Sequence, residues 1–267
     1  MFKLYRLKNY NFRLVILLIA ISIIGVLLIG SADSADQKKQ AIGVVMGVVI
    51  MIIVSLVDYS WLLNFYWFLY IGNLLMLGVL YLGGDTAKNA FGATRWIQIG
   101  SFQFQPTELS KIFLIMFFAM FLMKHEEDLN TAKTIFKAIG LLIPPLVMIY
   151  RQPDLKNTIT VMVLFCFMMY VAGLSYKIIG IALLVFVPLA GSFLWYIQRP
   201  NQHLLRDYQV NRILQFIYPG QYGSDYTQQN NSVMAIGSGQ LTGKGLNTST
   251  IATVKDANFI SEQQTDF

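Results

Sequence analysis

Residues 92–111 (GATRWIQIGSFQFQPTELSK) gather Arg95, Trp96, Glu108 and Lys111 between long apolar runs from which almost every charge is missing. A carboxylate beside two cations is what acid–base work and the stabilisation of negative charge require. Pro106 suits the first turn of a helix, because it has no N–H to lose and its φ is preset. Glu108 then falls in that first turn, where a carboxylate meets the positive end of the helix dipole. Lys111, three positions on, shares its helical face. The next charge is Lys124, so the helix enters apolar surroundings with a lysine already inside it. Ionisable groups at that depth are costly and point to function by default. A structural reading stands equally open: Glu108 caps the helix and Lys111 neutralises it.

The elements that must hold these groups are membrane spans. The chain is 55% hydrophobic and 13% charged, with mean hydropathy +0.55. Soluble domains carry about a quarter charged residues. The composition implies an all-α polytopic membrane protein. Its basic residues form no stripe with interleaved aromatics, which excludes nucleic acid as a partner. Cys166, the single cysteine, can form no internal disulfide and is expected to be a buried small apolar side chain. His125 belongs to a solvated charge cluster with no second histidine nearby, so no metal site is expected there.

Seven apolar runs follow one another, over 14–30, 41–57, 61–82, 109–123, 138–150, 158–174 and 178–196. Pro144-Pro145 predicts a kink or a break in the fifth. Gly83–Asp85 is a turn signal that opens the polar stretch 83–107, and a second polar turn covers 151–157. No further run appears after residue 197. The expected organisation is a seven-span helical bundle over 1–196 and a large outer loop over 197–267. Lys3, Arg6, Lys8 and Arg13 precede the first run with no acid, which puts the N-terminus in the cytoplasm. Seven spans then bring 83–107, 151–157 and the tail to the outer face. The polar segments richest in chemistry converge on one surface.

The tail carries two false motifs. In GSGQLTGKG (237–245) a Gly-Lys imitates a phosphate loop, but Ser238 stands where its glycine is needed and Gly245 where its Ser or Thr is needed. A dinucleotide fingerprint fails at Thr242. The glycines let the backbone turn or approach a ligand closely. Lys244 could meet a diphosphate or stand solvated and idle.

GATRWI (92–97), QPTELSKI (105–112), QPDL (152–155), YQVNRILQFIYP (208–219), IGSGQLTGKGL (236–246) and SEQQTDF (261–267) occur in that order. In this conjunction the chain resembles the SEDS family of RodA, FtsW and SpoVE, bacterial proteins of cell shape, division and sporulation, and RodA most. The resemblance implies a peptidoglycan glycosyltransferase. Such enzymes polymerise lipid II at the outer face of the bacterial cytoplasmic membrane, beside a class B penicillin-binding protein that cross-links the strands. The family's essential aspartate, in its T-D-F motif, matches Asp266. Its loop tryptophan matches Trp96, the acid and lysine of its fourth helix match Glu108 and Lys111, and its P-D-L aspartate matches Asp154.

On that resemblance Asp266 is the expected base for the acceptor hydroxyl. Arg95, Lys111 or a divalent cation (Mg or Mn) would stabilise the leaving diphosphate, and Lys111 would also hold Glu108 ionised. The sequence departs from the family pattern twice. Where the family often reads PDLGT it has PDLKNT, and it shows seven spans against about ten, so a fragment inactive alone is expected. Two other classes compete. A flippase or transporter of lipid-linked precursors would place ionisable groups near the bilayer midplane, and the middles of these spans hold none. A noncatalytic scaffold of the wall-building complex would need no base at Asp266.

Overall fold

The computed structural model describes residues 10–82, 87–90, 93–99, 102–152, 154–199, 202, 204–205, 210–211, 213–214, 217–218, 225–243 and 245. The protein is a polytopic, all-helical membrane protein. Among the described residues five helices are long and apolar enough to cross a bilayer: α1 (Phe12–Ala32), α2 (Ser34–Ser55), α5 (Pro106–Lys124), α6 (Ala132–Arg151) and α8 (Tyr176–Ile197). Two shorter apolar helices, α4 (Tyr66–Leu82) and α7 (Leu155–Val171), account for the other two expected runs. A short α3 (Tyr59–Leu63) precedes α4, and α9 (Asp225–Gly239) lies in the tail. The chain gathers into two compact units, one of residues 57–192 and the other of 1–56 with 193–267.

Helices α2 and α6 begin earlier than their apolar runs. Asp33 caps α2, accepting from the Ala35 N–H at 2.7 Å, and the polar first turns carry an Asp36–Lys39 pair at 2.8 Å. Thr131 caps α6 in the same way, so Lys133 and Lys137 extend the helix on its exposed face. Helix α7 is bounded firmly at both ends. Asp154 caps its start. At its end Gly173 has φ +97°, and the Gly173 and Leu174 N–H groups donate back to the carbonyls of Tyr170 and Met169. That paired arrangement demands a left-handed residue, which glycine supplies without strain. Cys166 is exposed on α7 rather than buried, because Val161, Phe165 and Met169 form the buried face.

The core of the 57–192 unit is aromatic. Phe117 of α5 stacks on Tyr70 of α4 with ring centroids 4.5 Å apart, and Phe118 meets Phe165 of α7 edge-on at 5.0 Å. Lys124, at the end of α5, lies 4.5 Å over the ring of Tyr66 at the start of α4, so the two helices run antiparallel. Helix α6 continues unbroken through Pro144 and Pro145. Pro145 leaves the carbonyl of Leu141 without its N–H partner, and the Tyr70 hydroxyl donates to that oxygen at 2.8 Å. The Tyr81 hydroxyl donates to the Met148 carbonyl in the last turn.

Between α4 and α5 the chain forms a small antiparallel sheet of β1 (Ala87–Ala90), β2 (Ala93–Ile99) and β3 (Phe102–Phe104), in that order. Ile97 pairs with Phe104 and Ile99 with Phe102, with Gln98 opposite Gln103 between them. This period-two alternation sets the register. Strand β2 packs against α4 and α5.

Candidate functional site

The junctions β3–α5 and α6–α7 meet at one end of the 57–192 unit. Pro106 occupies the first turn of α5, and Gln105 stands at its cap without making the cap hydrogen bond. Its amide is used elsewhere: Gln105 Nε2 donates to Asp154 Oδ2 at 3.3 Å. Asp154 caps α7, with Oδ1 accepting from the Asn157 N–H at 3.1 Å and Oδ2 from Asn157 Nδ2 at 2.7 Å. The Thr158 hydroxyl donates to the Asp154 carbonyl at 2.7 Å. One turn back, the Thr107 hydroxyl donates to Gln152 Oε1 at 3.3 Å. Thr107, Gln152, Asp154, Asn157 and Thr158 are all buried.

Lys111 connects this buried set to the surface. Its ammonium lies 2.6 Å from Glu108 Oε2 and donates to Asn157 Oδ1 at 3.3 Å. The Glu108 side chain is 58% exposed and that of Lys111 20%. An ammonium has three N–H groups, and among the described residues two of them are engaged. Lys111 also borders a small apolar recess of about 10 Å³, lined by Leu114, Phe118, Leu142, Val161 and Phe165.

Of the residues singled out from sequence, Glu108, Lys111 and Asp154 are thus brought together through Asn157. Arg95 and Trp96 lie on β2, where Trp96 is half-buried and opposite Lys88 of β1. Lys244 and Asp266 lie outside the described residues. The glycines before Lys244 end a helix: α9 stops at Gly239, and Gln240 and Gly243 follow with φ of +53° and +70°. Asn157, Gln105 and Thr107 were missed as site residues. Asp154 followed three positions later by an amide is a capping pattern readable in sequence, but its reach to Lys111 is a tertiary contact.

A family model described as cell cycle protein, covering FtsW, RodA and SpoVE, matches residues 4–267. The peptidoglycan glycosyltransferase MrdB of Escherichia coli K12 is 30% identical over 262 residues, covering 95% of this chain and 66% of that protein. The rod shape determining protein RodA of Thermus thermophilus has a solved structure that superposes with TM-score 0.54 at 26% identity, over 68% of this chain and 60% of that one. A chain of a solved peptidoglycan synthase complex, described as coordinating polymerization and crosslinking, superposes with TM-score 0.67 at 24% identity, over 85% of this chain and 64% of that one. The chain therefore spans just under two thirds of the length of these relatives.

Proposed function

The chain belongs to the FtsW/RodA/SpoVE family, and from that premise we propose that it is the larger part of a peptidoglycan glycosyltransferase acting on lipid II. The observation that supports this reading best is Lys111, a largely sequestered cation held between Glu108 at the surface and Asn157 in the buried polar set. A leaving diphosphate needs such a cation. The acceptor's 4-hydroxyl oxygen attacks the anomeric carbon of the donor sugar and its proton passes to a base. The bond from that carbon to the diphosphate oxygen breaks, the lipid diphosphate leaves, and the donor's α-linkage becomes a β-linkage. Asp266 is the proposed base. Lys111 and Arg95 take up the charge that develops on the leaving oxygen, with Lys244 as a further diphosphate contact and Trp96 at the rim. Glu108 pairs with Lys111 on its exposed side, and Asp154 acts behind it through Asn157. A divalent cation (Mg or Mn) beside Asp266 is the alternative source of that stabilising charge.

The proposed setting is the bacterial cytoplasmic membrane, with the N-terminus inside, the site facing outward and a class B penicillin-binding protein alongside. The test is polymerisation of purified lipid II by the full-length protein with its transpeptidase partner. Glycan strands should form. Asp266→Asn keeps the shape of the side chain but cannot take the proton, so it should abolish them while lipid II still binds. Near-normal polymerisation by that variant would remove Asp266 as the base. Transfer of lipid II across vesicle membranes without polymer would favour a flippase.

A further inference from the structure

Glu108, Lys111 and Asp154 attract attention as charges, yet none of the three touches both of the others. Asn157 joins Lys111 to Asp154 across two helices. We propose that Asn157 is a positioning residue, which fixes the Lys111 ammonium where it meets the diphosphate; the inference rests on the glycosyltransferase reading of this site. Chemistry allows the amide one orientation only. A lysine ammonium can only donate and an ionised carboxylate can only accept. Asn157 must therefore turn Nδ2 to Asp154, at 2.7 Å, and Oδ1 to Lys111, at 3.3 Å. The carboxylate that locks it is itself held by the Asn157 N–H and the Gln105 amide, both within buried or half-buried surroundings. The amide thus has no freedom to flip, and its carbonyl is presented to the lysine as a fixed acceptor.

Burial decides which of the two partners sets the position of Lys111. Glu108 is 58% exposed, so water and salt compete with that pair and a single helical turn supplies both of its ends. Asn157 is 4% exposed and sits on another helix. Its hydrogen bond is shielded, and it ties the lysine to the spacing between α5 and α7. Loss of Glu108 would leave Lys111 anchored, whereas loss of Asn157 would leave it swinging on its own helix.

The experiment uses the full-length protein with its partner and purified lipid II, comparing wild type with Asn157→Leu and Asn157→Thr. Leucine keeps the number and branching of the heavy atoms, at a larger volume, and removes both side-chain hydrogen bonds. Threonine restores a hydroxyl that both donates and accepts. Because Lys111 takes up charge that develops on the leaving diphosphate, its displacement in Asn157→Leu should lower kcat about tenfold with a smaller change in KM. In parallel, reductive methylation of Lys111 in the folded protein, followed by mass spectrometry of its peptide, should run several-fold faster in Asn157→Leu than in wild type. Threonine should return both readouts most of the way. An unchanged methylation rate in Asn157→Leu, or a loss of activity that follows the amount of folded protein and is not recovered by threonine, overturns the proposal. Wild-type protein that makes no glycan while its Lys111 methylation still responds to Asn157 would overturn the glycosyltransferase reading and leave the anchoring of Lys111 standing.

Discussion

Glu108 and Lys111 illustrate why one spacing supports two readings until burial is known. An exposed pair three residues apart on a helix contributes at most about 1 kcal/mol to stability, and Glu108 is mostly exposed. A purely structural role would therefore be a weak one. On the proposed function, Lys111→Met should lower turnover by the full-length protein by about tenfold or more, while moving the melting temperature by no more than about 3 °C. Turnover measured against a thermal unfolding curve checks this, and a loss that merely tracks lost folded protein would favour capping and neutralisation. The sequence made Lys111 legible because its neighbours are apolar for twelve positions on one side. Asn157 was not legible, because its bond to Lys111 joins residues 46 positions apart. Asp154 was legible as a residue, but its carboxylate is fully engaged at the start of α7.

Among the elements, α6 shows where local rules yield to packing. Two adjacent prolines predict a kink or a break, and the helix is not broken by them. In lipid a freed carbonyl has no water to turn to, so a neighbouring helix must satisfy it. Tyr70 of α4 does so for Leu141. Tyr70→Phe should therefore destabilise the protein in detergent by about 1–2 kcal/mol. In a Pro145→Ala background, where residue 145 regains its N–H and can bond Leu141 itself, the same change should cost much less. A double-mutant cycle of thermal or denaturant unfolding measures the coupling. Additive costs would mean that the hydroxyl does not serve the proline's orphaned carbonyl. The small sheet is the reverse case. The alternation Ile97-Gln98-Ile99 and Phe102-Gln103-Phe104 was present in the sequence, but at three residues each it is shorter than the windows in which period two separates from chance.

At the scale of the whole chain the seven runs were legible because length and apolarity alone define a span. Their ends were less so, since polar first turns such as Ser34–Gln40 and Ala132–Lys137 remain helical when capped. Two opposite ends of the 57–192 unit follow from its hydrogen bonds. Gln105 and Asp154 join the entrance of α5 to that of α7. Asn130, between α5 and α6, accepts from the Ser175 N–H at 2.7 Å and donates to the Gly173 carbonyl at 3.3 Å, which joins the two connections at the other end. The basic N-terminal segment selects which end is outside. The expected outcome is stated for a protein first freed of its exposed thiol by Cys166→Ser. A cysteine at Asn89, on β1, should react with an impermeant thiol reagent in intact cells. One at Glu127, exposed between α5 and α6, should react only after the membrane is permeabilised. Asn130 itself is a poor probe, because a cysteine there would break the link it makes. Labelling of Glu127→Cys in intact cells with Asn89→Cys protected would invert the orientation. The Lys111 site would then face the cytoplasm, on the wrong side of the membrane for polymerising wall precursors.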